Sequence, residues 1–258
     1  MRHHPRIHSA NPPRPTRHRY RMSSSVAGLS VLDNPIWNAL STRLLPFSVG
    51  GNLARRFDTS IGPLAGLREQ SPEAYQELAQ TFETGQTAAL FLDEAPRVPP
   101  GWEITRESEL IQMICPGEPA LPAGNHPSLT SLTTADVPEM IDLVKLTEPG
   151  PFGPRTIELG GYLGLRLDGR LAAMAGQRLA PPGFVEISAV CTHPDFRGHG
   201  YAHLLVASVA RQIRAQGDTP FLTSLADNTR AISVYEAAGF VPRRSLRLLV
   251  ITPQAPSA

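Results

Sequence analysis

The chain has 258 residues, 41 % of them hydrophobic and 18 % charged, with a formal net charge of +1. That is enough apolar content for one large packed domain or two small ones. The charge is unevenly spread: residues 1–22 hold six arginines, four histidines and no acid, so the remainder is mildly acidic. A nucleic-acid binder usually carries its basic face on the fold itself, so the composition argues against one. Cys115 and Cys191 are the only cysteines, too few for a disulfide framework, which fits reduced thiols in a cytoplasmic protein. No apolar run reaches the ~18 residues of a membrane span, and no signal-peptide hydrophobic region follows the basic start.

The arginine-rich start lacks acids, as a transit peptide does, yet Pro5, Pro12, Pro13 and Pro15 would break the amphipathic helix such a peptide needs. Residues 1–25 are therefore expected to be a disordered basic tail, and the change in composition leaves both Met1 and Met22 open as the start of translation. Residues 26–126 have folded character but no readable motif. Within them, Ser71-Pro72-Glu73 combines a capping serine, a proline at the first helical position and an acid in the first turn. This predicts a helix through Tyr75 and Leu78 towards Phe82. Residues 87–92, 102–105 and 110–115 are strand-like. The proline- and glycine-dense stretch 116–127 reads as a linker, with a boundary near residue 126.

Residues 127–258 alternate between strands and helices. A short strand at 128–133 precedes Thr134-Ala135-Asp136, which opens a helix carrying Val137, Met140, Ile141 and Val144. Residues 161–167 and 170–177 form a hairpin across Asp168-Gly169, a strong two-residue turn signal. Next come a strand at 185–192, a helix at 200–215, a strand at 219–225, a helix at 229–238 and a last strand near 245–251. The pattern implies an α/β (α+β) sheet with helices on its faces, plus a smaller N-terminal α/β region.

Between the strand at 185–192 and its helix lies Arg197-Gly198-His199-Gly200-Tyr201-Ala202. Ala202, Leu205, Val206, Val209, Ala210 and Ile213 form one apolar stripe on that helix, and Gly217 is placed to end it. At the helix amino terminus, unpaired N–H groups and the dipole favour an anion, and Gly198 and Gly200 leave a phosphate room to approach. Taken alone, such a sequence is also simply a tight turn. It is neither a Walker A loop, lacking Gly-Lys-Ser/Thr, nor a Rossmann Gly-x-Gly-x-x-Gly.

The turn reads Arg-x-x-Gly-x-Ala and resembles the acetyl-CoA-binding signature of the GNAT N-acetyltransferases, Gln/Arg-x-x-Gly-x-Gly/Ala. Upstream, Ala189-Val190-Cys191-Thr192-His193-Pro194 resembles the exit of that family's fourth strand. Downstream, the run from Asn228 through Tyr235-Glu236 to Gly239-Phe240 resembles its Asn…Ala…Tyr-Glu…Gly-Phe segment. The resemblance covers about residues 128–252 and is closest to the branch related to glycine N-acyltransferases. It implies a mixed, mostly antiparallel GNAT sheet with helices on both faces. It also implies acetyl-CoA as co-substrate and direct attack by a primary amine in a ternary complex.

In that family the fourth strand splays from the fifth. By resemblance, Val190, Cys191 and Thr192 would bind the pantetheine arm, and the Val190 N–H would serve the oxyanion. Arg197, Gly198, His199, Gly200, Tyr201 and Ala202 would hold the pyrophosphate. Asn228 would reach the pantetheine or phosphate portion, a helix cap being the simpler role. Tyr235 would act as general acid near the cofactor sulfur; packing between helix and sheet is the other reading.

Glu186 is the second catalytic candidate. Along an extended strand, Glu186, Ser188 and Val190 point one way, and Val185, Ile187, Ala189 and Cys191 the other. A mid-strand carboxylate is expensive to bury unless something uses it. Its spacing to the turn also matches the position where some relatives carry their base; a solvent-facing glutamate is the alternative. The acceptor, a small molecule or a peptide, would bind opposite the cofactor, between residues 147–158, the hairpin and part of the N-terminal region. Arg155 could pair with an acceptor carboxylate, but an ordinary surface arginine is the favoured reading. No His, Cys, Asp or Glu spacing suggests a metal site, and no nucleic-acid or membrane partner is expected of this monomer or homodimer. A non-catalytic acyl-CoA-binding module with a protein-partner surface is the alternative function.

Overall fold

The computed structural model describes residues 28–83 and 85–254; the expected basic tail and both candidate starts lie outside them. The chain opens with a 3-10 turn (Leu29–Asp33), helix α1 (Pro35–Leu40), strands β1 (Ser48–Gly50), β2 (Ala54–Phe57) and β3 (Ala65–Leu67), and helix α2 (Pro72–Ala79). Helix α2 starts as predicted, with the Ser71 hydroxyl accepting from the Ala74 N–H at 3.3 Å and Pro72 in the first turn. Then follow β4 (Ala88–Leu92), β5 (Trp102–Ile114), β6 (Thr130–Ser131), α3 (Val137–Thr147), β7 (Tyr162–Leu167), β8 (Arg170–Gln177) and β9 (Phe184–Thr192). Helix α4 (Tyr201–Ala215), β10 (Thr219–Leu225), α5 (Thr229–Ala237) and β11 (Val241–Pro253) complete the described chain.

Strands β1–β3 make a small antiparallel sheet, and the other eight form a sheet in the order β4-β11-β5-β10-β9-β8-β7-β6. Among the described strands of this sheet only the neighbours β9 and β10 run parallel, so the sheet is mixed and mostly antiparallel, as expected. Period-two alternation gives it two apolar faces. On β8, Ala173 and Ala175 join the cluster built on Leu205 and Val209 of α4, whereas Met174 joins Met140 and Leu143 of α3.

Two differences from the sequence reading concern the N-terminal half. Residues 102–105 and 110–115 are not two strands; β5 is continuous and pairs with β11 throughout. Its polar middle, Thr105 to Glu109, faces water, because β10 covers β5 only from Leu110 to Ile114. Residues on both sides of position 126 also build one sheet, since β11 lies between β4 and β5. They share one core as well: Leu32, Ile36, Leu40 and Phe57 cluster with Ile114, Ile187, Leu205 and Phe221. The proline-rich stretch is a strap rather than a spacer. Ala120 N–H donates to the Ala238 carbonyl at 3.1 Å, and Arg211 Nε donates to the Pro119 carbonyl at 3.2 Å.

Candidate active site

Strand β9 carries the main irregularity of the sheet. Met174 pairs with Cys191 and Gly176 with Ser188, so Ala189 and Val190 together face the single residue Ala175. This is a β-bulge, and Ala189 takes the left-handed conformation (φ 51°) to make it. The bulge reverses the alternation beyond it, which corrects the expected grouping of side chains. Val185 and Ile187 face α4, whereas Ala189 and Cys191 face α3, and Val190 packs on the α4 side. On its other edge β9 pairs with β10 only as far as Ile187 opposite Leu222. Beyond that rung the two strands part, so Ser188 to Thr192 have no paired residue in β10.

The strand leads through Pro194–Phe196, a single 3-10 turn, into the glycine turn. Gly198 and Gly200 both have positive φ (86° and 78°), and a β-carbon at either would meet nothing within 4 Å. The turn is therefore open to solvent, with Gly200 as the N-cap of α4 and no side chain capping the helix. Arg197, Gly198, His199 and Gly200 are exposed, and the His199 ring stacks on Tyr201 with centroids 5.4 Å apart. Two buried hydroxyls near the opening, Thr192 Oγ1 and Thr223 Oγ1, have no hydrogen-bond partner among the described residues. An open anion-binding turn beside orphaned polar atoms fits a pyrophosphate with a polar arm attached.

Asn228 caps α5, its Oδ1 accepting from the Ala231 N–H at 3.2 Å. Gly239 (φ 97°) ends that helix, with Phe240 N–H returning to the Tyr235 carbonyl at 3.0 Å. This Schellman-type closure explains the Gly-Phe pair. Tyr235 is half-buried against the core on the α4 side, and desolvation pushes its hydroxyl up to about 12, so it keeps its proton across the neutral range.

Glu186 is neither solvent-facing nor a lone carboxylate. It is 0 % exposed, and Arg178 takes both its oxygens, Nε at 2.8 Å and Nη2 at 3.0 Å. Burial draws the Arg178 pKa down, but the Glu186 carboxylate outweighs it and the net shift is upward. Sequence reasoning missed Arg178. A hairpin centred on Pro182 puts residue 178 opposite residue 186, and opposite charges at paired positions were the available signal.

Both cysteines are free and buried, and burial raises the Cys191 thiol to about 12 and the Cys115 thiol as well. A thiolate is the reactive form, so neither should react with a disulfide reagent at pH 8 until denaturant is added. Labelling of either in the folded protein would contradict the burial.

On the expected acceptor side, the turn after β2 grips the loop before β7. The Ile61 carbonyl accepts from Thr156 Oγ1 at 2.6 Å and from Gly153 N–H at 3.2 Å, and the Ser60 carbonyl accepts from Arg155 N–H at 3.1 Å. Arg155 is not free for an acceptor carboxylate, because it forks onto Glu158 at 2.8 and 2.9 Å. A cavity of about 260 Å³ lined by Thr133, Glu158, Gly160 and Gln212 involves none of the expected cofactor residues. Among the described residues no helix is long and apolar enough to cross a membrane, and no His, Cys, Asp or Glu cluster could hold a metal.

The family described as FR47-like protein matches residues 162–248, from β7 into β11. None of the curated proteins matches the chain. Among solved structures, one from Novosphingobium aromaticivorans DSM 12444, assigned to the GNAT family as an acetyltransferase, is 38 % identical. The match covers 87 % of this chain and 99 % of that one, with a TM-score of 0.79. A GCN5-related N-acetyltransferase from Kribbella flavida shares the fold at 19 % identity and TM-score 0.58, over 85 % and 94 % of the two chains. With its bulged β9, its parted strands and its open glycine turn, and with a family relative matched over nearly its whole length, the chain belongs to the GNAT family and is an acyltransferase.

Proposed function

We propose that the protein moves an acetyl group from acetyl-CoA to the primary amine of a small molecule, amino acid or peptide, by direct attack in a ternary complex. The observation that carries this reading is the Ala189 bulge at the point where β9 leaves β10, running on into an open helix terminus. The edge of Val190, Cys191 and Thr192 that β10 leaves unpaired beyond Ile187 suits an extended amide-bearing arm, which pairs as an added strand would. Arg197 to Ala202 take the pyrophosphate, and Asn228, with Oδ1 committed to its helix, keeps its amide N–H groups for the arm.

In this scheme the acceptor ammonium first gives one proton to Glu186, whose oxygens each retain a lone pair beside the Arg178 contact. The neutral nitrogen then bonds to the thioester carbonyl carbon, and the Val190 N–H donates to the developing oxyanion. The C–S bond breaks, the Tyr235 hydroxyl protonates the departing thiolate, and the proton shed by the new amide nitrogen restores the tyrosine. One ammonium proton thus ends on the thiol, and the one taken by Glu186 leaves to solvent as the products depart, which restores the carboxylate. The acceptor is held against the face that the loop before β7 and the turn after β2 form together.

Release of free thiol from acetyl-CoA against small amines, glycine, other amino acids and short peptides tests the reading. Turnover with one class names the acceptor; coenzyme A binding without turnover on any amine overturns it. Tyr235→Phe is expected to cut kcat roughly 100-fold. Affinity for coenzyme A should change little. The factor should be the same from pH 6 to pH 9, because the hydroxyl titrates only near 12. Equal losses in turnover and affinity would mean that the ring only packs.

A further inference from the structure

The geometry points to Arg178 as a positioning residue for the transfer reaction, acting through Glu186. This rests on the reading that Glu186 meets the acceptor amine, and adds a residue to it. Glu186 lies opposite Phe221, one rung before the β9–β10 ladder ends, and three residues before the left-handed Ala189. The ion pair thus lies one rung short of the opening between the strands, with Arg178 reaching Glu186 from the β8 side.

Four observations argue that the pair is more than a tie between β8 and β9. First, backbone bonds already fasten this part of the hairpin, Arg178 N–H to the Glu186 carbonyl at 3.0 Å and Glu186 N–H to the Leu179 carbonyl at 2.7 Å. Second, a buried ion pair is often no more stabilising than apolar residues of the same volume. Third, the fork is fixed in place: the Arg178 guanidinium lies 5.9 Å from the Phe91 ring centroid, and both its contacts fall on one carboxylate. A two-point grip sets the plane of the carboxylate, which a single ammonium contact cannot do.

Fourth, the Tyr162 hydroxyl has no partner among the described residues although the side chain is only 2 % exposed. The charges of Arg178 and Glu186 both act on that hydroxyl. Its ring is locked as well, because a β-carbon on Gly176 would fall 2.2 Å from it. A fixed, buried donor in the field of an oriented, buried acceptor is a polar pair that an amine can join.

The test is Arg178→Lys, which keeps the charge and loses the fork. It is expected to fold, to bind coenzyme A within twofold of the parent, and to lose kcat about tenfold or more. In a Glu186→Gln background the same change should cost nothing further, since Arg178 then has nothing to act through. A lowered melting temperature with unchanged kcat per folded molecule would reduce Arg178 to a structural tie and overturn the proposal. Should Arg178→Lys not fold, Glu186→Gln is compared with Arg178→Gln/Glu186→Gln, which buries no charge. Equal kcat supports the assignment, and a further fall in the double variant overturns it. If Glu186→Gln alone keeps full activity, both the base and its positioning residue are withdrawn. If Glu186→Gln is slow while Arg178→Lys is fast, only the role of Arg178 fails.

Discussion

Gly200→Glu is expected to weaken coenzyme A binding by roughly 100-fold or more, beyond the reach of titration calorimetry under ordinary conditions. Two effects add. The residue sits at φ 78°, where a side chain costs about 1–2 kcal/mol. The new carboxylate also stands at the unpaired amides that would otherwise meet the phosphates, and like charges 4 Å apart cost about 1–4 kcal/mol in partly aqueous surroundings. Gly200→Ala separates the two, since the space around its β-carbon is open and only the backbone strain remains. It should cost about tenfold or less. Undiminished binding in the glutamate variant would show that the pyrophosphate sits elsewhere.

The second large effect is expected on stability. A chain cut to residues 127–258 removes β4 and β5, and with them both neighbours of β11 and one of β10. Leu90, Leu110, Met113 and Ile114 leave the core, while Phe221, Leu246 and Leu249 lose their cover. Each such side chain is worth about 1.5–3 kcal/mol, so four of them rival the about 5–15 kcal/mol by which a whole domain is stable. Both edges of β11 and one of β10 would also be left unpaired and open to aggregation. We therefore expect the fragment to be unfolded by circular dichroism or to accumulate as aggregate. A soluble fragment with a cooperative melt would establish residues 127–258 as an independent domain.

What was legible in the sequence was what local rules specify. The Asp168-Gly169 turn, the Ser71 cap, the apolar stripe of α4 and the glycines that end α4 and α5 each follow from a few adjacent residues. Strands β1–β3 and helix α1 were not legible, because they are three to six residues long and have no period to read. They are held by contact: α1 packs so closely on β3 that a β-carbon on Gly66 would meet the Trp37 backbone nitrogen at 2.4 Å. The Ala189 bulge was equally hidden. Nothing in Ser-Ala-Val-Cys announces an extra residue, and only pairing with β8 creates it. For the same reason the mid-strand glutamate was readable as an oddity, while its guanidinium partner depended on the register of a hairpin.

The double grip of the Ile61 carbonyl on Gly153 and Thr156 has a consequence for traffic through the proposed acceptor side. The crossing is too tight for play, since a β-carbon on Gly153 would fall 2.2 Å from the Ser60 carbonyl oxygen. The loop before β7 is tied to that corner, so with the acceptor bound as proposed, whatever admits an amine or lets its amide leave has to carry the β2–β3 corner along. Changes confined to residues 58–62 should accordingly retune which amines are accepted, and leave the grip on the nucleotide end of coenzyme A untouched.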